Sequence, residues 1–67
     1  MVKVTMMGKM NKELYLNPHQ IEYIEAEANT TIVMLSGKRL VIQEDYDTVF
    51  RRIVDYRRLI GGFKNEE

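Results

Sequence analysis

The run Leu16-Asn17-Pro18 lies between two strand-like segments, and it limits the possible folds more than any other part of the chain. Proline fixes its own φ at about −65° and disfavours the helical region for the residue before it. The Asn17 side chain can accept N–H bonds from the residues that follow, in an Asx-turn or as the cap of a one-turn helix. Asn17 and Pro18 are therefore predicted to form a structural turn, after which Ile21 re-enters the core.

Five segments rich in β-branched and apolar residues predict strands. They span residues 2–6, 13–16, 21–28, 31–35 and 39–43. The third segment also contains Ala and Glu, which favour helix. We interpret it as a strand because Tyr23 and Ile24 favour sheet. Gly37 is expected to supply the positive φ of a tight turn between the last two strands.

The clearest helix signal begins near Tyr46, where apolar residues recur with helical spacing. The stripe comprises Tyr46, Val49, Phe50, Ile53, Tyr56 and Ile60. Phe50 and Ile53 lie in the middle of this stripe, so we expect both side chains to pack against the sheet. On that interpretation, truncating Phe50 to alanine should cost about 3–5 kcal/mol.

The ends of the helix are also indicated by the sequence. Asp45 or Asp47 can cap its N-terminus, and the pair Gly61-Gly62 is expected to end it. The chain is accordingly divided into one small domain, residues 1–62, and a polar C-terminal tail, residues 63–67.

The last two strands carry apolar residues on both faces. Ile32, Met34, Leu40 and Ile42 share one face, and Val33, Leu35 and Val41 share the other. A single helix shelters only one face, so the sheet must curl strongly or a partner must cover it. The predicted fold class is α+β: a curled, mostly antiparallel sheet of about five strands with one C-terminal helix packed on it. In a chain this small, burial barely offsets the cost of ordering, which makes a homo-oligomer a reasonable expectation.

Composition excludes several classes of function. The net charge is zero and the chain has no cysteine and one histidine, His19. No nucleophile, base and metal ligands occur together, so we predict a protein that is not an enzyme and holds no metal or cofactor. The glutamates 22, 25 and 27 are expected to form a solvated acidic edge. Because the first residues alternate and no apolar run reaches about 20 residues, we expect a cytoplasmic protein without membrane insertion.

Arginines on the helix form the candidate protein-contact site. Arg51 and Arg58 share a helix face and Arg52 lies beside it, whereas Arg57 flanks the apolar stripe. The simplest interpretation is a solvated helix face. The functional interpretation is a docking surface for an acidic protein patch or for phosphates, which Arg binds in a bidentate manner. Nucleic acid is the less favoured partner, given zero net charge and no interleaved exposed aromatic residues.

These features together resemble the FlbD (SwrD) family of small bacterial flagellar motility proteins. The matching segments are 2–5, 16–22, 24–25, 37–38, 43–45 and 56–58. The chain departs from the family pattern in a longer first loop, residues 6–11, and in Gln43-Glu44-Asp45 at the start of the helix. The resemblance implies a cytoplasmic, non-enzymatic accessory of flagellar motility that contacts a motor or stator component. It supplies no catalytic or binding residues.

An alternative function stays open at this point. The strand order and the C-terminal helix also resemble the small β-domains of LytTR-type DNA-binding regulators. The alternative is therefore a small nucleic-acid-binding regulator that uses the arginine face of the helix. The two hypotheses differ in whether Arg51, Arg52 and Arg58 meet carboxylates or phosphates.

Overall fold

A computed structural model describes residues 1–8 and 10–60 in full and the backbone of residues 61–64. Five strands precede one helix: β1 (Val2–Thr5), β2 (Glu13–Leu16), β3 (Ile21–Ala26), β4 (Thr30–Met34), β5 (Arg39–Ile42) and α1 (Tyr46–Lys64). All strand pairs are antiparallel. The predicted α+β fold class is confirmed, and the ambiguous third segment is a strand.

The five strands form two small sheets rather than one continuous sheet. β1 pairs with β2, and β3, β4 and β5 form the other sheet in that order. The two sheets meet where β1 ends. Met6 bridges Ile42 there, and the Gln43 N–H donates to the Thr5 carbonyl over 2.8 Å. The two sheets are therefore joined at this corner by backbone hydrogen bonds.

The turn between the sheets is organised by Asn17 and Pro18. Residues Pro18–Gln20 form one turn of 3-10 helix, with the buried Pro18 at its first position. The Asn17 Oδ1 atom accepts from the His19 N–H over 3.0 Å, and the Gln20 N–H donates to the Asn17 carbonyl over 2.9 Å. The Leu35 N–H donates to the Gln20 carbonyl over 2.7 Å. The turn thereby connects β2 to the end of β4.

Replacing Asn17 with alanine is expected to lower the free energy of unfolding by about 0.5–2 kcal/mol, because it removes the cap of this turn. Urea denaturation monitored by circular dichroism measures the loss. Asn29→Ala is the matched control, since Asn29 is exposed and its side chain makes no hydrogen bond among the described residues. Equal stability of the Asn17→Ala variant and the parent would show that the cap contributes nothing.

A β-bulge in β3 was not predicted from the sequence. Ile21 pairs with Met34 and Tyr23 pairs with Val33, so β3 holds one extra residue, Glu22, at this point. Strict alternation would put Ile21 and Ile24 on opposite faces. The bulge removes this conflict, and both isoleucines pack against the core.

The core lies between the two sheets and the helix. Its buried residues are Val4, Leu16, Ile32, Leu40, Ile42 and Val49. Of the two apolar faces of the last strands, the one that contains Ile32 and Leu40 therefore packs inward.

On the outer face, Val33 is buried between its cross-strand neighbours Tyr23 and Arg39. The Arg39 side chain also forms an ion pair with Glu25 over 2.8 Å. Leu35 and Val41 stay exposed. Coverage of the outer face by a second chain therefore stays a prediction.

The helix presents a different face to the sheet from the one predicted. Val49 is fully buried and Ile53 packs against the core, but Phe50 is 52% exposed. The prediction that Phe50 lies against the sheet is wrong. Successive helical residues differ in direction by about 100°, and α1 contacts chiefly β1, so only a narrow stripe around Val49 and Ile53 is buried.

The helix also continues past its predicted end. Its backbone stays helical through Gly61 and Gly62 to Lys64. Glycine costs a helix about 1 kcal/mol relative to alanine but does not forbid helical dihedral angles, and no proline follows. Residues 65–67 of the predicted polar tail lie outside the described residues.

Candidate functional site

Six residues line one side of α1, and we call this surface the outer helix face. They are Asp47, Phe50, Arg51, Val54, Asp55 and Arg58. The spacing of three and four residues places them on one side of a helix. Val49 and Ile53, which contact the core, point in a different direction. The outer helix face is therefore available to another molecule.

Phe50 supplies an exposed aromatic ring to this surface, and Tyr46 lies at its border. The rings of Tyr46 and Phe50 stack with centroids 5.8 Å apart and an interplanar angle of 25°. Both side chains are substantially exposed. Aromatic and arginine side chains are enriched in the cores of protein interfaces and carry much of the binding energy there.

Charges of both signs surround the aromatic pair. Arg51 and Arg58 are exposed, and Asp47 and Asp55 lie on the same face. Among the described residues, the ion pairs join other side chains, so neither guanidinium group is held by a carboxylate. Two arginines and two aspartates give the outer helix face no net charge.

Arg52 does not belong to the outer helix face. Its Nη1 atom donates to the Lys3 carbonyl over 2.8 Å and to Glu44 Oε2 over 3.0 Å. The sequence placed Arg52 in the candidate contact site with Arg51 and Arg58, but in the structure its guanidinium group is engaged within the fold. One residue after Arg51 the helix has turned by about 100°, which directs this side chain towards β1. Arg52 thus connects the helix to the first strand.

Glu44 is the centre of this connection. Its carboxylate also accepts from the Thr5 N–H over 2.9 Å and from the Thr5 hydroxyl over 3.0 Å. Burial acts to raise the pKa of Glu44, but the hydrogen bonds from Thr5 and Arg52 favour the ionised form and lower the pKa below its ordinary value. Glu44 therefore holds β1 and α1 together as an anion.

Acid should weaken this connection. Because the folded pKa of Glu44 lies below the ordinary 4.5, its stabilisation is complete above that value and is lost as the pH falls through the folded pKa. At pH 7, Glu44→Gln is expected to cost about 1–3 kcal/mol, and the difference from the parent should shrink as the solution is acidified. Urea denaturation at neutral and acidic pH measures both values.

Glu27→Gln, in the exposed turn between β3 and β4, is the control and should stay within about 0.5 kcal/mol of the parent. A Glu44→Gln difference that does not change with pH would contradict the role given to the carboxylate.

The other residues that the sequence singled out lie in a helix cap, a turn and a ring contact within the fold. Asp45 caps the helix by accepting from the Thr48 N–H over 3.0 Å, and hydrogen bonds from the side chain and the backbone of Thr48 lower the pKa of Asp45. Gly37 has a φ of +94° in the turn before β5. The His19 ring packs edge-on against Tyr56, with centroids 6.2 Å apart.

In the part of the chain that the structure describes, no group of three His, Cys, Asp or Glu side chains could hold a metal ion. Over its described residues, the helix is not long and apolar enough to cross a membrane.

The exposed aromatic pair and the Glu44–Arg52 contact were not predicted from the sequence. A helical projection centred on Val49 would have placed Phe50 on the flank of the helix, because the two residues differ in direction by about 100°. No local signal identifies Glu44 as the partner of Thr5, since the two residues are 39 positions apart.

Residues 1–61 match the family model FlbD, described as flagellar and swarming motility proteins. No curated protein and no solved structure gives a significant match.

Proposed function

Because the chain belongs to the FlbD family of flagellar and swarming motility proteins, we propose that it is a non-enzymatic cytoplasmic accessory of bacterial flagellar motility that acts through protein contact. The partner in this proposal is a component of the flagellar motor or stator. The contact surface is the outer helix face. Arg51 and Arg58 are its charged contacts, whereas Arg52 acts within the fold.

The exposed Phe50 is the observation that carries this proposal. The ring of Phe50 is half exposed, although the neighbouring Val49 is fully buried. Phe50 therefore gains little hydrophobic stabilisation from the fold of its own chain. Contact with another protein would remove the ring of Phe50 and the stem of Arg51 from water. Burial of apolar surface and bidentate arginine contacts would then stabilise the complex.

The charges on the outer helix face favour a protein over a nucleic acid. Phosphate backbones attract surfaces with a net positive charge. Here Asp47 and Asp55 lie on the same face as Arg51 and Arg58, so a phosphate would meet repulsion as well as attraction. A protein surface can place a carboxylate opposite each arginine and a donor opposite each aspartate.

Arg58→Glu is expected to reduce swarming motility while the fold stays intact, because exposed charge changes usually alter stability by no more than about 0.5 kcal/mol. The matched control is Lys12→Glu, which changes the net charge equally on an exposed residue outside the helix. Swarm expansion is compared at equal cellular protein levels. Motility that is equal in the two variants would remove the outer helix face from the proposal.

The nucleic-acid alternative is tested with the purified wild-type chain and duplex DNA. We expect no gel shift at physiological salt. A salt-dependent, sequence-selective shift that is lost in Arg58→Glu would replace the accessory function with that of a DNA-binding regulator.

A further inference from the structure

The hydrogen-bonding pattern of the first hairpin reveals which backbone groups of β2 face outward. The Met6 N–H donates to the Lys12 carbonyl over 2.8 Å, so residues 6 and 12 form a hydrogen-bonded pair. Hydrogen-bonded and non-hydrogen-bonded pairs alternate along an antiparallel ladder. Counting back from residues 6 and 12, Val4 and Leu14 form the next hydrogen-bonded pair. Lys3 and Tyr15, one residue further, form a non-hydrogen-bonded pair. The backbone groups of residues 3, 5, 13 and 15 therefore point away from the hairpin.

On β1, three of the four outward-pointing backbone groups of Lys3 and Thr5 have partners among the described residues. The Thr5 N–H donates to Glu44, and its carbonyl accepts from the Gln43 N–H. The Lys3 carbonyl accepts from Arg52. These contacts agree with the alternation derived from residues 6 and 12, and they occupy most of this edge of the hairpin.

The outer edge of β2, unlike that of β1, has unpaired backbone groups. The outward-pointing backbone N–H and C=O groups of Glu13 and Tyr15 have no partner among the residues that the structure describes. A row of unpaired backbone groups is a template for another strand. β3 also has a free edge, but the bulge at Glu22 interrupts it. The β2 edge has an unbroken register with β1 and is the better template.

A groove runs beside this free edge, between β2 and the β4–β5 turn. Its volume is about 400 Å³, within the range of ligand-binding clefts. Leu14, Leu16, Met34 and Leu40 supply its apolar lining. Lys38 lies on its rim and forms no ion pair among the described residues.

From these observations we propose that the β2 edge binds an extended segment of a partner protein by strand addition. The added strand pairs with the backbone of Glu13 and Tyr15. Its alternate side chains enter the apolar groove, and a carboxylate of the same strand meets Lys38. Backbone pairing supplies affinity in this mode of recognition, and the side-chain pockets supply specificity. The proposal concerns a second surface and does not depend on the outer helix face.

Charge complementarity favours a foreign segment over a second copy of the chain. Suppose that the added strand were β2 of a second copy of the chain. The side chains that this second β2 directs towards the groove would then be Lys12, Leu14 and Leu16. None of these is acidic, and Lys12 would bring a second cation towards Lys38. A partner strand with an acidic residue satisfies Lys38, whereas the chain's own strand does not.

The test uses a seven-residue synthetic peptide that alternates valine with threonine and carries one glutamate, added to the ¹⁵N-labelled full chain. We expect chemical-shift changes confined to β2 and the β4–β5 turn, and slower hydrogen exchange of the Glu13 and Tyr15 amides. The same peptide with N-methylated backbone amides should not bind, since it cannot pair as a strand. Equal binding of the methylated peptide, shifts located elsewhere, or no shifts at millimolar peptide would overturn the proposal.

Two substitutions refine the test. Tyr15→Pro removes an N–H that points to the free edge without breaking a bond to β1. It should weaken peptide binding by about tenfold, whereas Tyr15→Thr, which keeps the N–H, should bind as the parent does. Lys38→Glu should also weaken binding of this peptide. Protection of the Glu13 and Tyr15 amides that rises with protein concentration, without peptide, would instead identify the added strand as a second copy.

Discussion

Replacing Ile32 with alanine is expected to lower the free energy of unfolding by about 2–5 kcal/mol. Ile32 has no exposed surface and pairs with Ile24 on one side and Leu40 on the other, so its truncation leaves a cavity in the middle of the core. A chain of 67 residues has a total stability of about 3–10 kcal/mol. The substitution should therefore remove about half of the total stability and lower the melting temperature by about 8 °C or more, as measured by thermal denaturation.

Leu35→Ala provides the control for this prediction. Leu35 is a comparably large apolar residue just beyond β4, but it is 57% exposed. Its truncation should change the melting temperature by only a few degrees. Equal losses at the two positions would mean that the inward and outward faces of β4 have been assigned wrongly.

The strands and the helix could be predicted because their signals are local. Alternation identified β1, runs of β-branched and apolar residues identified β4 and β5, and the Asn17-Pro18 turn follows from the chemistry of two adjacent residues. The bulge at Glu22 could not be found in this way. It depends on how β3 pairs with β4, and a register is a property of two strands rather than of one.

The candidate site was only partly predictable for the same physical reason. Helical spacing correctly grouped Arg51 with Arg58. Which face of an amphipathic helix is buried depends on the surface it packs on. For this reason the prediction that Phe50 packs against the sheet is wrong, and the contacts of Arg52 with Lys3 and Glu44 were not predicted. The contacts that decide these positions, such as that between Arg52 and Lys3, span 49 positions of the chain.

The second large effect is expected from Phe50→Ser, which should abolish swarming while the protein stays folded. Because the ring of Phe50 is half exposed and stacks on one aromatic ring among the described residues, that of Tyr46, its loss should cost about 1 kcal/mol of stability. At an interface the same ring would be fully buried, and truncation of such a residue typically costs about 2 kcal/mol or more of binding free energy. The effect on motility should therefore exceed any effect on abundance.

Swarming of Phe50→Ser and Leu59→Ser, measured at equal cellular protein levels, tests most directly whether the outer helix face carries the function. Leu59 is 61% exposed on the same helix but does not line the outer helix face. We expect the Phe50→Ser strain to lose swarming and the Leu59→Ser strain to swarm as the parent does. Normal swarming by Phe50→Ser at parental protein levels would contradict the assignment of this surface as the contact site.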